Sequence, residues 1–571
     1  MALLIPNGFF TLWLLTYLTS FGGSSIPPSS ASASASNHNH IFNALHSTLR
    51  QWDESLHHNG VSFFLATIPA GTRLYHGRGD TELLGDGVME WLALEPEHAS
   101  NFAVRVERNG SEPDLSPKWG WTWQQVQVQE QEPSQGQDWV HGRGPAAMGE
   151  EMRLVPLHAL SSSAAGGCAS EASSADQRLL LGQPQPRPPP QNDYKLYPGY
   201  LHTYTATRDL RLLYIDGQSA AKSPIGTLSS QDLILLRHSS KRPKGLFGES
   251  ARARGLCELA ANEWGRSIDG VVRMEHGFEV IACDFGVVRR MGVVEKWRLG
   301  LDFWHFLTAV ADRYGGVGDG RVRVRTERFV SVYADPEMGR LWQDSEDGVL
   351  PNISRISDTA AERVAGQVRE LVMSGRLPGE VEENGRRQEV DWREISDLYV
   401  TRYARRLQYL SEREAWASAE ARANATQAVY GVYLDGADYE THDSRPAIQR
   451  CTEAFIPPAQ LDLPWEEQSM AQQSVTNVAC EICTVLYSVM TILAGDFEEQ
   501  QMRLDGLKEW LQWPAFKVCD EGRGCRVDEV CFVAIWPWGG KEDHEEPRCW
   551  DREALARRTG LGGYWRMGEA R

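Results

Sequence analysis

Positive charge is scarce in this chain. Its 58 Lys and Arg residues face 77 Asp and Glu, for a formal net charge of −19. That excludes the basic face on which nucleic-acid binding depends. It also disfavours docking on an anionic membrane surface. Long apolar runs are scarce as well. Beyond the N-terminus the nearest approach to a membrane span is 475–494, and Asn477 and Glu481 interrupt it. A charge in mid-bilayer costs about 2.5–3.5 kcal/mol, so a core helix is expected there. Also missing are a His-Glu-x-x-His pair, a Ser-nucleophile elbow and any internal repeat. The chemistries and solenoid folds that those signals mark are therefore not expected.

What remains is a long chain with globular composition. At 571 residues it exceeds one hydrophobic core, and two or three domains are expected. The stretch FFTLWLLTYLTSF (9–21) carries no charge and is followed by small residues. It reads as the core of a secretory signal peptide over 1–23, with an uncleaved N-terminal anchor as the alternative, because MALLIPNG lacks Lys and Arg. A Ser/Ala/Pro linker fills 24–40, and its composition is too poor in large apolar residues to fold. After signal cleavage no stable membrane span is expected, and the protein is placed outside the cell or in the secretory lumen. Sequons at Asn109, Asn352 and Asn424 fit that route and suggest a glycoprotein.

There are ten cysteines, six of them after residue 475. In an oxidising compartment such a cluster points to disulfides. Cys480 and Cys483 also have the C-x-x-C spacing of a zinc site, but the other spacings fit no standard zinc pattern. The pairing stays open, and no metal is expected. NHNH (37–40) and EDHEEPRC (542–549) read as exposed loops. GGVGDG (315–320) follows a helical pattern rather than a strand, so it reads as a helix stop and not as a phosphate loop.

Patterning divides the remainder. Strand-like sequence runs through GVSFFLATIPAGTRLYHG, YTATRDLRLLYIDG and SIDGVVRMEHGFEVIACDF. Between the first two lies 109–193, rich in Gln, Ser, Gly and Pro, a low-complexity insertion. Period-3.6 apolar faces then mark a helical region over 296–445. A Cys/Trp-rich module closes the chain at 446–571.

Cleaving the nicotinamide–ribose bond of NAD requires three groups. A carboxylate must stabilise the oxocarbenium-like charge on the ribose. An aromatic face must hold nicotinamide. A donor such as His must fix the other ribose or the phosphates. LYHG (74–77), EWLALEPEHASNFA (90–103) and GFEVIACDF (277–285) offer these types in order. Together they resemble the ADP-ribosyltransferase fold, in the His–Tyr–Glu branch that includes poly-ADP-ribose polymerases and diphtheria-like toxins. The EWLA and GFEVI segments also resemble those of uncharacterised secreted fungal proteins.

The resemblance implies an α+β domain over 41–295 with a split β-sheet core. It assigns His76 and Gly77 to the histidine strand and Trp91 to the usual tyrosine, with Ala99 and Phe102 in the helix that follows. Glu279 becomes the catalytic carboxylate. It further implies NAD as substrate and a protein or small-molecule acceptor. Gly277 stands where arginine-modifying transferases carry a second glutamate, which argues against arginine as acceptor. A catalytically inactive secreted or wall-associated binding protein is the competing expectation. Glu95 and Glu97, flanking Pro96, read as a helix start that complements the helix dipole.

Overall fold

The computed structural model describes residues 37–108, 194–240, 242–243, 248–275, 277–297, 304, 307–308, 321–338, 352–374, 390–436, 443–491, 496–517, 519, 524–536 and 538–559. The expected signal peptide, most of the linker, the 109–193 insertion, Asn109 and GGVGDG lie outside these residues.

The architecture is mixed α+β, with the sheet in the N-terminal half, helices after it, and disulfides concentrated toward the C-terminus. The first-half strands are β1 Ser62–Ile68, β2 Arg73–Arg78, β3 Glu90–Ala93, β4 Val104–Arg108, β5 Tyr194–Pro198, β6 Tyr200–Ala206, β7 Leu210–Ile215, β8 Gly270–Met274, β9 Phe278–Ala282, β10 Val288–Glu295 and β11 Arg323–Ser331. Nine of them form one sheet in the order β10-β6-β2-β3-β9-β8-β7-β1-β11. Only β7 and β8 run parallel. β4 and β5 pair separately and flank the insertion. A split sheet was expected; the hydrogen-bonded order here is continuous across the described residues. β11 was not foreseen, because it lies within the stretch where helices were expected.

Strands β1, β8 and β9 are buried along their whole length. Continuous burial means that both sheet faces are covered. One face carries Phe64, Tyr214 and Phe278, whose rings meet in series with Phe329. The other carries Leu65, Leu213, Val271 and Ile281, linked through the register. Burying such side chains contributes about 1.5–3 kcal/mol each, which sets the register firmly.

The principal helices are α1 His38–Ser47, α2 Gln51–Leu56, α3 Pro96–Ser100, α4 Glu249–Asn262, α5 Asp358–Met373, α6 Trp392–Ser411, α7 Ala419–Tyr430, α8 Arg445–Thr452, α9 Met470–Thr491 and α10 Phe497–Leu511. Ser357 caps α5 by accepting from Ala360 N, and Asp391 caps α6 by accepting from Arg393 and Glu394 N. Among the described residues, α9 is the one helix long and apolar enough to cross a membrane. One of its faces buries Val475, Val478, Ile482, Leu486 and Val489 within the protein.

NHNH is a correction. It opens α1 rather than forming an exposed loop. His38 Nδ1 lies 3.1 Å from Ser474 Oγ on α9. Asn39 and Asn43 donate to the carbonyls of Trp510 (2.5 Å) and Leu511 (2.8 Å), at the end of α10. The asparagines so satisfy carbonyls that a helix terminus leaves open. EDHEEPRC is a second correction: it holds all but the first residue of the short helix Lys541–Glu545, with Asp543 and His544 buried, and the start of strand β13 Arg548–Asp551. β13 pairs with β12 Glu529–Phe532.

Among the described residues four disulfides form: Cys257–Cys283, Cys451–Cys483, Cys519–Cys531 and Cys525–Cys549. The first joins α4 to the end of β9. The second joins α8 to α9, so Cys483 does not pair within its own C-x-x-C. Cys480 is an exposed free thiol.

Candidate functional site

Strands β2, β3 and β9, which carry LYHG, EWLA and FEVIA, are neighbours in the sheet. Residue pairs align Tyr75 with Ala93, Ala93 with Glu279, and Glu279 with Arg273. Directly opposed residues share a face. Trp91 pairs with Ile281, two steps along, so Trp91 and Glu279 share that face too.

His76 is one step from Tyr75 and points to the other face. There its ring meets those of His202 and Phe285, at centroid distances of 6.3 and 5.8 Å. Its Nδ1 is 2.7 Å from the Trp91 carbonyl oxygen, so it braces β2 against β3. Burial lowers its pKa to about 3, so the ring is neutral at ordinary pH. The sheet thus unites the three motif strands but places His76 and Glu279 on opposite faces. All three side chains are enclosed: His76 is 1% exposed, Trp91 6% and Glu279 4%.

Glu279 stands in a buried network of charges. Arg273 Nε donates to its Oε1 at 3.0 Å, and Nη2 donates to the same oxygen. Arg273 also donates to Gln231 Oε1 (2.8 Å) and Glu249 Oε2 (2.7 Å). Arg252 bonds Glu249 and clasps both oxygens of Asp232, at 2.7 and 2.8 Å. Lys222 Nζ is 2.5 Å from Glu275 Oε1. His98 Nε2 lies 3.9 Å from Glu279 Oε2, and Phe102 tilts against the His98 ring at 5.7 Å.

These partners set the charges. Burial alone would raise the pKa of Glu249, but Arg273, Lys222 and Arg252 outweigh it and hold the carboxyl well below its usual range. Burial pushes Glu275 up, against the pull of Lys222. Burial lowers His98 to about 4, against the attraction of Glu279. Glu95 starts α3 as expected, yet its carboxylate is buried and meets Arg321 Nη2 at 2.5 Å rather than capping the helix.

Two glycines make room for this packing. A Cβ on Gly77 would sit 2.1 Å from the Ala99 carbonyl oxygen, so only glycine lets β2 approach α3. A Cβ on Gly277 would sit 2.8 Å from His98 Nδ1.

His98, Glu275 and Glu279 bring their ligand atoms within 4.8 Å of one another. Lys222 and Arg273 already compensate the two carboxylates, so the donor set fits an internal ion-pair network better than a divalent cation. Cys519, Cys525 and Cys531 also cluster, but their sulfurs are bonded in disulfides and offer no thiolate.

Sequence reading missed Arg273, Glu249, Lys222 and His98. Arg273 carried the one available signal, a full charge inside the apolar strand sequence GVVRM.

Residues 32–154 and 160–296 match the family model described as the YPL277C N-terminal domain. Two Saccharomyces cerevisiae proteins, Uncharacterized protein YPL277C and Uncharacterized protein YOR389W, are each 30% identical over 251 residues, 43% of this chain. That stretch covers 40% of the first and 31% of the second, so the chain spans less than half the length of these relatives. No solved structure matches the chain.

Proposed function

We propose that residues 41–295 form an ADP-ribosyltransferase-like unit of a secreted, disulfide-tied protein. It takes NAD, breaks the nicotinamide–ribose bond, and passes ADP-ribose to a protein acceptor or to water. One observation carries the reading: the strands bearing LYHG, EWLA and FEVIA are contiguous, and Trp91 and Glu279 share a sheet face. Glu279 is the carboxylate that stabilises the developing ribose cation. Trp91 and Phe102 supply the aromatic surface for nicotinamide. His76 is a positioning residue in this reading. It fixes the Trp91 backbone from the opposite face instead of holding the adenosine ribose.

A second reading has its own support. Glu279 is enclosed and gripped by Arg273, which suits a non-catalytic binding or wall-associated protein that keeps the same fold.

Nicotinamide release from NAD by the purified full chain separates the two. It is measured for the native protein, for Glu279→Gln, and for Trp536→Ala, at a buried indole that packs against Ala221. Release that Glu279→Gln abolishes supports cleavage. Release by none of the three, or equal release by all, removes it. Calorimetric binding of NAD without release supports the second reading.

A further inference from the structure

We propose that the C-terminal disulfide block is a strap that holds the polar site around Glu279 shut. This deepens the NAD reading as a regulation of the same site, but its first test does not depend on NAD.

The block is small and heavily tied. Cys531 and Cys549 face each other across the β12–β13 pair, and each is bonded to a different outside cysteine, Cys519 and Cys525. Such cross-links stiffen a segment that has little core of its own. The loop it presents, described over 533–536 and 538–540, is pinched by an Ile535–Trp538 bridge. Gly539 turns it at φ +93°, and a Cβ there would sit 2.7 Å from Ala534 Cα.

The tip of this loop seats on the segment that follows β7. Ala534 and Trp536 form a separate apolar cluster with Ala221 and Ile225. The ammonium of Lys222 lies 5.2 Å from the Trp536 ring centroid, a cation–π distance. A second anchor lies behind. His544 Nε2 meets the Leu56 carbonyl oxygen at 2.8 Å, and its own carbonyl accepts from Lys517 Nζ at 3.2 Å.

From that seat an unbroken series of contacts runs to Glu279. Lys222 bonds Glu275 in the β8–β9 turn. Ala220 N donates to the Met274 carbonyl oxygen at 2.8 Å. The Ser219 carbonyl accepts from Gln231, whose Oε1 accepts from Arg273, which grips Glu279. The strap therefore presses the 218–225 segment onto the turn and helix that enclose the carboxylate. Lifting it takes the Trp536 ring away from Lys222 and frees the segment to move. A polar ligand reaches Glu279 in that opened state.

The test is hydrogen exchange of the intact, oxidised full chain, native against Trp536→Ala. Exchange faster by about ten-fold in peptides from 216–235 and 270–282, with α9 and β1 unchanged, is the expected result. Lys222→Met is expected to loosen the same peptides while leaving 529–551 protected. Uniform acceleration across the chain would mean that Trp536 serves global stability only. No change in 216–235 in either variant would equally overturn the strap. Nicotinamide release is then read on the same samples. Loosened peptides without release keep the strap and sink the NAD reading. Release from the native chain equal to that from Trp536→Ala keeps the NAD reading and sinks the strap.

Discussion

Arg273 and Glu279 sit directly across from one another on β8 and β9, and Arg273 Nε meets the Glu279 carboxylate at 3.0 Å inside the protein. The pair is not isolated, since the same guanidinium holds Glu249 and Gln231. Removing either partner of a buried pair strands the other's charge, and breaking such a pair costs about 3–5 kcal/mol. Arg273→Met is therefore expected to lower the urea midpoint strongly. Arg273→Met with Glu279→Met is expected to recover part of the loss, since Glu249 still lacks the guanidinium. Equal loss in the single and double variants would contradict coupling between them.

Stability should peak near neutral pH. Burial lowers His40, His76 and His544 to about 3, and His57 and His98 to about 4. A folded-state value below the unfolded 6.5 favours the neutral ring. That stabilisation is complete above about 6.5 and is lost as pH falls toward 3–4. Burial raises Asp216 to about 7 and Glu275 in the same direction. Their contribution is present below the unfolded carboxyl range and is lost as pH rises through about 7. Urea midpoints at about pH 4.5, 6.5 and 8.5 are expected to be highest at the middle value, with the steeper loss on the acid side. A monotonic trend would contradict this assignment.

Gly77→Ala is expected to destabilise by about 1–3 kcal/mol or more, because the new methyl meets backbone and not a flexible side chain. Gly71→Ala makes the contrast. Gly71 has φ +81° with open space around it, so its cost is backbone strain alone. Thermal melts of both variants check the order.

Differential alkylation reads the cysteine pattern. In the folded, unreduced chain, iodoacetamide is expected to label Cys480 and to leave Cys483 unlabelled until reduction. Cys451→Ser is expected to leave Cys483 as a buried thiol that the reagent reaches only on unfolding, and to cost about 2–4 kcal/mol. Labelling of both cysteines of the C-x-x-C in the native protein would contradict the α8–α9 bond.

How much of this was legible in the sequence depends on the type of contact. The strand sequences SFFLATI and FEVIA declared themselves by β-branched and aromatic content, and α6 by its apolar period. The contiguity of β2, β3 and β9 matched the order of the motifs. What could not be read was which face each residue takes, because a single register step sent His76 away from Glu279. β11 stayed hidden because its sequence, RVRTERFVS, carries four charged residues and breaks the strand alternation, inside a helix-rich stretch. The polar helix start NHNH was misread for a related reason. Its side chains serve carbonyls more than four hundred residues away, and no local pattern reports such partners.

The Cys257–Cys283 bond gives the folding compartment a say in the geometry of the carboxylate site. It clips the helix bearing Glu249 and Arg252 to the strand end four residues beyond Glu279. Two rows of opposing charge are thereby locked at a fixed spacing only after oxidation. Protein produced where thiols stay reduced would carry the same side chains on a looser frame, so the production host belongs among the variables of every measurement on this site.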